Sequence, residues 1–275
     1  MTGGTALAQS INRNLAIICG EFGFGMGLGS CRQLLYDDSR IADFNVKNLM
    51  PDQPLLANLG IAQIEELLLH KELDKIEDLL HILSADGLII HVNPLQEWLQ
   101  PEGDTLKQSP LATITDFLKE VDYPVIVKEV GQGMGKASLD ALLKLPLEAV
   151  DFAALGGTNF SKLELFRSEE MEQEVMMQVS GLGHDANTMV QWTNEINHEN
   201  KSIRCKKLII SGGVKSFLDG YYLIEKSQIP AVYGMASGFL KYALEGIDPL
   251  RKFAEKQVAG LKMTKSLLRI NTSHA

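Results

Sequence analysis

The densest group of chemically capable side chains in this sequence lies in the seven residues His91-Val-Asn-Pro-Leu-Gln-Glu97. They place an imidazole, two amides and a carboxylate just after an apolar run. His91 and Asn93 are two residues apart, so in a strand they point to the same face. The carboxylate of Glu97 is an oxygen ligand of the kind that Mg²⁺ accepts beside substrate phosphates. A buried structural histidine and an ordinary helix start at Gln96 are the alternatives, but four such groups together favour a ligand site.

Other polar side chains stand at the ends of apolar runs. Lys128 ends Val-Ile-Val-Lys, where an ammonium is costly unless it meets an anion or an electron-rich ligand. A salt bridge to Glu129 is the structural alternative. Asn58 interrupts Leu-Leu-Ala-Asn-Leu, which favours a hydrogen bond to a ligand over a surface role. The turn from Ser30 to Arg32 adds a hydroxyl and a guanidinium, and a guanidinium suits the recognition of a diphosphate.

Small residues follow the last two apolar runs. Gly212 and Gly213 come after Leu-Ile-Ile-Ser, and Gly234-Met-Ala ends the final run. Barrels of alternating strands and helices often bind phosphate at these loops through backbone N–H groups. Tight turns would also explain the glycines. Taken with their positions after strands, they predict a ligand that carries phosphate, and Lys215 adds a positive charge nearby.

Seven short apolar runs position these residues, and amphipathic helical patterns separate them. Runs so uniformly apolar are typical of parallel strands that are covered on both faces. Because the polar residues follow the strand ends, they would gather at one rim of a closed sheet. We therefore predict an α/β fold, a TIM (β/α)8-type barrel with seven strands in this chain, rather than an open sheet. The runs are Phe24–Leu28, Pro54–Leu59, Gly87–Val92, Pro124–Val130, Ala149–Leu155, Leu208–Ser211 and Ala231–Met235.

One gap between runs, from Leu155 to Leu208, is much longer than the others. It contains the charged stretch Ser168–Gln178, the glycines of Gly181-Leu-Gly and a helical pattern near Asn187–Asn197. An active-site lid and a solvated insertion are both compatible with it.

Composition limits the possible functions. The chain has 275 residues, of which 45% are hydrophobic and 22% charged, as in ordinary globular proteins. Its net charge of −9 argues against nucleic acid or an anionic membrane as a partner. No apolar run approaches the roughly 18 residues of a membrane span. Three cysteines without a CxxC spacing indicate a reducing, cytoplasmic setting. We expect a single domain over residues 1–275.

In their order along the chain, these motifs resemble those of the type 2 isopentenyl diphosphate isomerases, a family of flavin enzymes. His91–Glu97 matches the family's histidine-x-asparagine-x-x-glutamine-glutamate signature, which separates it from other flavin barrels. The remaining matches are Met1–Gly4, Gly27–Arg32, Ala57–Gly60, Val127–Gly131, Gly156–Asn159, Gly212–Val214 and Gly234–Ala236.

The resemblance implies that isopentenyl diphosphate is converted to dimethylallyl diphosphate by migration of a double bond. It implies reduced FMN as the acid–base, Mg²⁺, and NADPH only as the reductant of the flavin. Gln96 and His91 would be catalytic and Glu97 would bind the metal. The implied substrate-binding residues are Ser30, Arg32, His91, Asn93 and Gln96. The implied flavin-binding residues are Met1, Thr2, Ser30, Asn58, Lys128, Thr158, Gly212, Gly213, Lys215, Ala236 and Ser237. By the same resemblance we expect a homo-oligomer, a tetramer or an octamer.

Two other functions stay open at this point. One is a different FMN-dependent barrel, an oxidoreductase acting on a hydroxy acid or a dihydropyrimidine. The other is an inactive remnant of the isomerase. Met1-Thr-Gly-Gly4 resembles the loop after a first strand, and only seven strands are visible where a closed barrel has eight. We therefore expect a chain that lacks the first strand and the segment before it, and that is poorly stable and weakly active.

Overall fold

The computed structural model describes residues 6–100, 103, 106–199 and 202–271 of the chain. Strands and helices alternate along it, and the strand order follows the chain. The strands are β1 (Met26–Gly27), β2 (Leu55–Gly60), β3 (Gly87–His91), β4 (Val125–Lys128), β5 (Ala149–Asp151), β6 (Leu208–Ile210) and β7 (Ala231–Tyr233).

Twelve α-helices lie within the described residues. They are α1 (Ala6–Phe22), α2 (Ile61–His70), α3 (Asp74–Leu83), α4 (Pro94–Leu99), α5 (Pro110–Glu120), α6 (Lys136–Leu143), α7 (Phe160–Leu165), α8 (Glu170–Ser180), α9 (Ala186–Glu199), α10 (Phe217–Lys226), α11 (Ser237–Glu245) and α12 (Ile247–Leu267). No helix of the described ranges is long and apolar enough to cross a membrane.

All seven predicted strands are present, and all but β2 are shorter than their apolar runs. The run Ala149–Leu155 shows why. Its strand ends at Asp151, because Ala153 adopts a left-handed backbone conformation with φ of 41°. Pairing continues irregularly beyond that point, since the N–H of Ala154 still donates to the carbonyl of Ser211 at 2.9 Å. An apolar run therefore predicts a strand without predicting where regular pairing stops.

The described residues divide into two compact units. The first contains residues 6–92, 106–127 and 238–254, and the second contains residues 93–100, 103, 128–199, 202–237 and 255–271. The expectation of one domain stays a prediction.

The first unit is built on the parallel strands β1, β2 and β3. Their register pairs Met26 with Leu55 and Gly60 with His91. Leu55, Leu59 and other apolar side chains of these strands are fully buried, as expected of a parallel sheet covered on both faces. The sheet therefore brings the carboxyl ends of β2 and β3, with their polar residues, side by side.

The second unit contains the parallel strands β5, β6 and β7. Val150 pairs with Leu208, and Ile210 pairs with Tyr233. The long gap after β5 is filled by α7, α8 and α9, so the charged stretch forms helix α8 and the later pattern forms α9. Helix α10 begins with a capping box, in which the side chains of Ser216 and Asp219 satisfy backbone N–H groups of the first turn.

Candidate functional site

In the first unit, His91 is hydrogen-bonded to Asn58 at the ends of β3 and β2. Nδ1 of His91 lies 2.7 Å from Oδ1 of Asn58, and Nδ2 of Asn58 donates to the carbonyl of Leu28 at 2.9 Å. An amide oxygen only accepts, so Nδ1 of His91 carries a proton. Gly60 leaves room for the ring, because a Cβ there would lie 3.0 Å from Nε2 of His91. Once His91 is doubly protonated, Nε2 is also a donor suited to a phosphate oxygen.

The predicted turn after β1 is joined to this pair through the backbone. The N–H of Cys31 donates to the carbonyl of Asn58 at 2.7 Å, and the N–H of Arg32 lies 3.4 Å from Oγ of Ser30. The side chain of Arg32 is exposed. Burial raises the pKa of the Cys31 thiol to about 11, so the thiol stays protonated and is a poor nucleophile near neutral pH. The structure thus brings Ser30, Arg32, Asn58 and His91 together.

In the second unit, Asn93 organises the first turn of α4. Its Nδ2 donates to Oε1 of Glu97 at 2.7 Å and to Oε1 of Gln96 at 3.3 Å. Asn93 is buried, and its Oδ1 has no hydrogen-bond partner among the described residues. A buried carbonyl oxygen without a donor is costly. This atom is therefore the acceptor that the site offers to a ligand.

Glu164 of α7 orients Gln96, and no motif in the sequence predicted this contact. Oε1 of Glu164 accepts from Nε2 of Gln96 at 3.2 Å and from Nε2 of Gln100 at 2.8 Å, while Oε2 accepts from Nη1 of Arg167 at 2.8 Å. The carboxylate is buried despite its charge. The spacing could have indicated its burial, because Glu164 lies three residues after Ser161 and therefore on the same inner face of a short helix.

Lys128 ends β4 as predicted, and its Nζ donates to the backbone carbonyl of Glu129 at 2.9 Å. Burial lowers the pKa of the Lys128 ammonium, and the carboxylates of Asp151 and Glu129 oppose that shift. Asp151 was not predicted as a site residue. Like Lys128, it is a charged residue inside an apolar run.

The carboxylate of Glu129 binds the loop that follows β4. Its Oε2 accepts from the backbone N–H groups of Gly131, Gln132 and Gly133 at 2.6, 2.6 and 2.9 Å. Burial raises the pKa of Glu129, and these hydrogen bonds act in the opposite direction. Glu129 therefore shapes this loop, whereas the sequence suggested only a salt bridge between Glu129 and Lys128.

The glycine pair after β6 packs backbone to backbone against the loop after β5. Gly212 has φ of 84°, and a Cβ there would lie 2.1 Å from the oxygen and 2.2 Å from the nitrogen of Ala154. A Cβ on Gly156 would lie 3.1 Å from Cα of Gly213. Only glycine fits such an approach, and loops of this kind expose the N–H groups that bind phosphate.

The remaining predicted flavin-binding residues are less tightly connected. Thr158 contacts the loop after β4, because a Cβ on Gly131 would lie 2.1 Å from the carbonyl oxygen of Thr158. The side chain of Lys215 is exposed, and the backbone N–H of Lys215 donates to Oδ2 of Asp219 at 3.0 Å. Ala236 and Ser237 are exposed at the start of α11. The predicted Met1 and Thr2 lie outside the described residues.

A cavity of about 270 Å³ lies beside Asn93 and Gln96. Glu129, Gln132 and His184 complete its polar lining. The segment after Gly183 closes against it, since the N–H of His184 donates to the carbonyl of Gln132 at 2.8 Å. The glycine segment of the long gap thus lines the cavity beside Asn93 and Gln96.

Glu97 is the carboxylate of this site that the sequence assigns to a metal. Within the described residues, no group of three or more His, Cys, Asp or Glu side chains is arranged to hold a metal ion. Mg²⁺ is commonly held by one or two carboxylates together with substrate phosphates. A single carboxylate such as Glu97 fits that chemistry.

Curated relatives match nearly the whole chain, although no protein-family model matches it. The isopentenyl-diphosphate delta-isomerase of Rickettsia akari (strain Hartford) is 36% identical over 247 residues, which cover 88% of this chain and 68% of that protein. The isopentenyl-diphosphate delta-isomerase of Rickettsia felis is 34% identical over 268 residues, which cover 96% of this chain and 74% of that protein.

Solved structures with the same fold are more distant in sequence. The flavin-binding domain of baker's yeast flavocytochrome b2 matches with a TM-score of 0.60 at 12% identity, over 96% of this chain and 61% of that one. Lactate oxidase of Pediococcus acidilactici matches with a TM-score of 0.57 at 12% identity, over 97% of this chain and 70% of that one. The chain thus spans about three fifths of the flavocytochrome chain. Together with seven parallel strands in chain order, the likeness confirms the predicted fold class, a TIM (β/α)8-type barrel fold.

Proposed function

The chain belongs to the type 2 isopentenyl-diphosphate delta-isomerases, and we propose that it converts isopentenyl diphosphate to dimethylallyl diphosphate by moving one double bond. The observation that carries the proposal is the arrangement of the signature residues. The amide of Gln96 is fixed between Asn93 and Glu164, and Glu97 lies on the same turn of α4. A side chain fixed at both ends is suited to holding a substrate in one orientation.

We propose that the diphosphate of the substrate binds to hydrogen-bonding side chains of the candidate site. Arg32 offers a guanidinium, and His91 offers an imidazole ring that its hydrogen bond to Asn58 orients. Ser30 adds a hydroxyl to the same turn. In the second unit, Oδ1 of Asn93 would accept a hydrogen bond from the ligand or its hydration shell. These groups bind and orient the substrate, while Gln96 faces the reacting carbons.

FMN is the cofactor that the chain's residues fit. When bound and reduced, it supplies the acid–base chemistry of the double-bond shift. The glycine loops after β5 and β6 pack backbone to backbone, and their N–H groups are the ones assigned to the phosphate of FMN, while Lys128 offers a cation for negative charge on the reduced ring. The residues proposed to hold FMN are Met1, Thr2, Ser30, Asn58, Lys128, Thr158, Gly212, Gly213, Lys215, Ala236 and Ser237.

The remaining assignments follow from the family. Mg²⁺ would be bound by Glu97 together with the diphosphate of the substrate. NADPH would serve only to reduce the flavin. We also propose that the chain acts as a homo-oligomer and in the cytoplasm.

An anaerobic assay tests the function. The purified chain is incubated with isopentenyl diphosphate, FMN, Mg²⁺ and a reductant, and dimethylallyl diphosphate is measured together with oxidised reductant. We expect product without stoichiometric consumption of the reductant. Consumption of one reductant per product would instead indicate an oxidoreductase. No product from a chain that binds FMN would overturn the proposal.

Two glutamines of the site provide a matched pair of variants. Gln96 and Gln100 donate to the same oxygen of Glu164, but only Gln96 belongs to the proposed machinery. Gln96→Ala should abolish most of the activity, whereas Gln100→Ala should retain it. Equal losses in both variants would show that the Glu164 contact, and not the position of Gln96 at the substrate, is what matters.

A further inference from the structure

Gln132, in the loop after β4, contacts two other segments of the second unit through its side chain. Its Nε2 donates to the carbonyl of Leu182 at 2.8 Å and to the carbonyl of Val179, at the end of α8, at 3.4 Å. Its Oε1 accepts from the hydroxyl of Ser161 in α7 at 3.3 Å. One end of this amide therefore binds the segment that ends α8, and the other end binds α7.

The backbone of Gln132 strengthens the first of these connections. Its carbonyl accepts from the N–H of His184 at 2.8 Å, and its own N–H donates to Oε2 of Glu129 at 2.6 Å. A Cβ on Gly183 would lie 2.3 Å from the carbonyl oxygen of Gln132, so the two backbones are in direct contact. The position of residues 182–184 therefore depends on the loop that contains Gln132.

Residues 182–184 form one wall of the candidate site. Gly183, His184 and Gln132 line the cavity of about 270 Å³ together with Asn93 and Gln96. Gln132 is thus part of this wall and also holds the rest of it in place, through Leu182 on the side-chain amide and His184 on the backbone carbonyl.

Helix α7, the second segment bound by Gln132, carries the contact with Gln96. Ser161 and Glu164 are both buried, and their spacing of three residues puts them on the same face of this helix. Ser161 donates to Gln132, while Oε1 of Glu164 accepts from Nε2 of Gln96 at 3.2 Å. A helix of six residues depends on tertiary contacts for its position. The bond between Ser161 and Gln132 is therefore one of the contacts that fix Glu164, and with it the amide of Gln96.

We propose that Gln132 is a positioning residue of the isomerase, whose side-chain amide holds α7 and residues 182–184 in one arrangement around the cavity. It acts on the reaction through Glu164, which orients Gln96. A polar network in which each member is satisfied makes the residues that it joins more rigid. The inference rests on the proposed function, which places Gln96 at the reacting carbons.

Two variants and a matched control test this role. Gln132→Met keeps a long unbranched side chain but removes the amide that binds both segments. Ser161→Ala removes only the hydrogen bond between Gln132 and α7. The control is Gln178→Met, because Gln178 is exposed and its amide donates to Val175 of the same helix. The control thus loses a glutamine of the same unit without losing a contact between segments.

The first readout is the exchange of protons with water, followed by NMR in the chain without flavin. The side-chain amide of Gln96 is identified by its absence in Gln96→Ala, and the backbone N–H of His184 reports on the wall. In Gln132→Met both should exchange about tenfold faster, the upper end of what one hydrogen bond contributes. Ser161→Ala should accelerate exchange at Gln96 and leave His184 unchanged, while Gln178→Met should change neither.

Two results of the exchange experiment would overturn the proposal. One is unchanged exchange at Gln96 in either Gln132→Met or Ser161→Ala. The other is equal acceleration in Gln178→Met, which would show that the loss of any glutamine amide loosens this unit. If Gln132→Met does not fold, Ser161→Ala decides, because it removes only one oxygen from a buried side chain.

Catalysis gives the second readout. In Gln132→Met we expect kcat to fall about tenfold, while KM for isopentenyl diphosphate and the Kd of FMN change by less than about twofold. The reason is that Gln132 is assigned to neither the diphosphate nor the flavin. A parallel loss of substrate and flavin binding, or an unchanged kcat, would overturn the proposal. The exchange experiment needs no turnover, so it decides the role of Gln132 even if the chain does not isomerise isopentenyl diphosphate.

Discussion

Two side-chain amides of the candidate site are each fixed at both ends, which decides the atoms they present. Asn58 donates to Leu28 and leaves its oxygen to His91. Gln96 accepts from Asn93 and donates to Glu164. Replacing Gln96 with glutamate, which has the same shape, would place a second carboxylate beside that of Glu164, and the two negative charges would repel each other.

Glu97 offers a test of the metal assignment. Glu97→Gln retains an oxygen to accept from Asn93, so we expect the fold and FMN binding to be preserved. A neutral amide is a poor ligand for a hard divalent cation. Mg²⁺-dependent activity should fall at least about 100-fold, the upper end of what loss of an outer-shell partner costs. The measurement is activity against Mg²⁺ concentration, and an unchanged dependence would contradict the assignment.

Cys31 offers a test of burial. Because its pKa is raised to about 11, the thiol stays protonated at pH values well below that and reacts slowly with alkylating reagents. The other two cysteines are also buried, and burial raises their pKa as well. We expect all three to resist iodoacetamide in the folded chain near pH 8 and to react in denaturant, as followed by mass spectrometry. Rapid labelling of Cys31 in the folded chain would contradict its placement.

At the scale of the elements, the sequence predicted the strands better than it predicted the contacts between residues of different elements. Each of the seven apolar runs coincides with a strand for most of that strand's length, since strands buried on both faces need uninterrupted apolar sequence. The signature residues at the end of β3 were found because they are close in sequence. Glu164 was not, because it is 68 residues from Gln96 and meets it only through helix packing. The turn at Ala153 was not predicted either, since alanine carries no signal for a positive φ.

The loop after β6 can be tested with two glycines that share a left-handed backbone. Gly212 has φ of 84° and is in close contact with Ala154, while Gly246 has φ of 127° and nothing within 4 Å of its absent Cβ. Gly246→Ala should cost about 1–3 kcal/mol of unfolding free energy from backbone strain. Gly212→Ala should cost more, because the Cβ also displaces the loop after β5. Denaturant unfolding measures both, and equal losses would show that the close packing at Gly212 is relieved at no cost.

At the scale of the whole molecule, the chain is acidic while its proposed ligands are anions. The net charge of −9 repels FMN and diphosphates at long range, so binding depends on local groups such as Arg32 and Lys128. Screening by salt weakens the long-range repulsion more than it weakens contacts within a site. Moderate salt should therefore hinder binding less than it would in a basic protein.

The stability of the chain with different ligands tests whether the glycine loops after β5 and β6 bind phosphate. A ligand that binds only the folded state at 100 times its Kd adds about 2.7 kcal/mol to the free energy of unfolding. We expect FMN to stabilise the chain and riboflavin, which lacks the phosphate, to stabilise it much less at equal concentration. Unfolding curves with each ligand provide the comparison. Equal stabilisation would show that the glycine loops do not recognise phosphate.

The backbone N–H groups that donate to the carboxylate of Glu129 affect which anions can bind to the loop after β4. Three N–H groups in succession would capture a free phosphate or sulfate, but they are occupied by a carboxylate two to four residues away. Such a tether gives the internal competitor a local concentration of millimolar or more, independent of dilution. Inorganic phosphate in the surrounding medium therefore competes poorly for this loop. A phosphorylated ligand would therefore bind at other loops, where no carboxylate of the chain already occupies the backbone N–H groups.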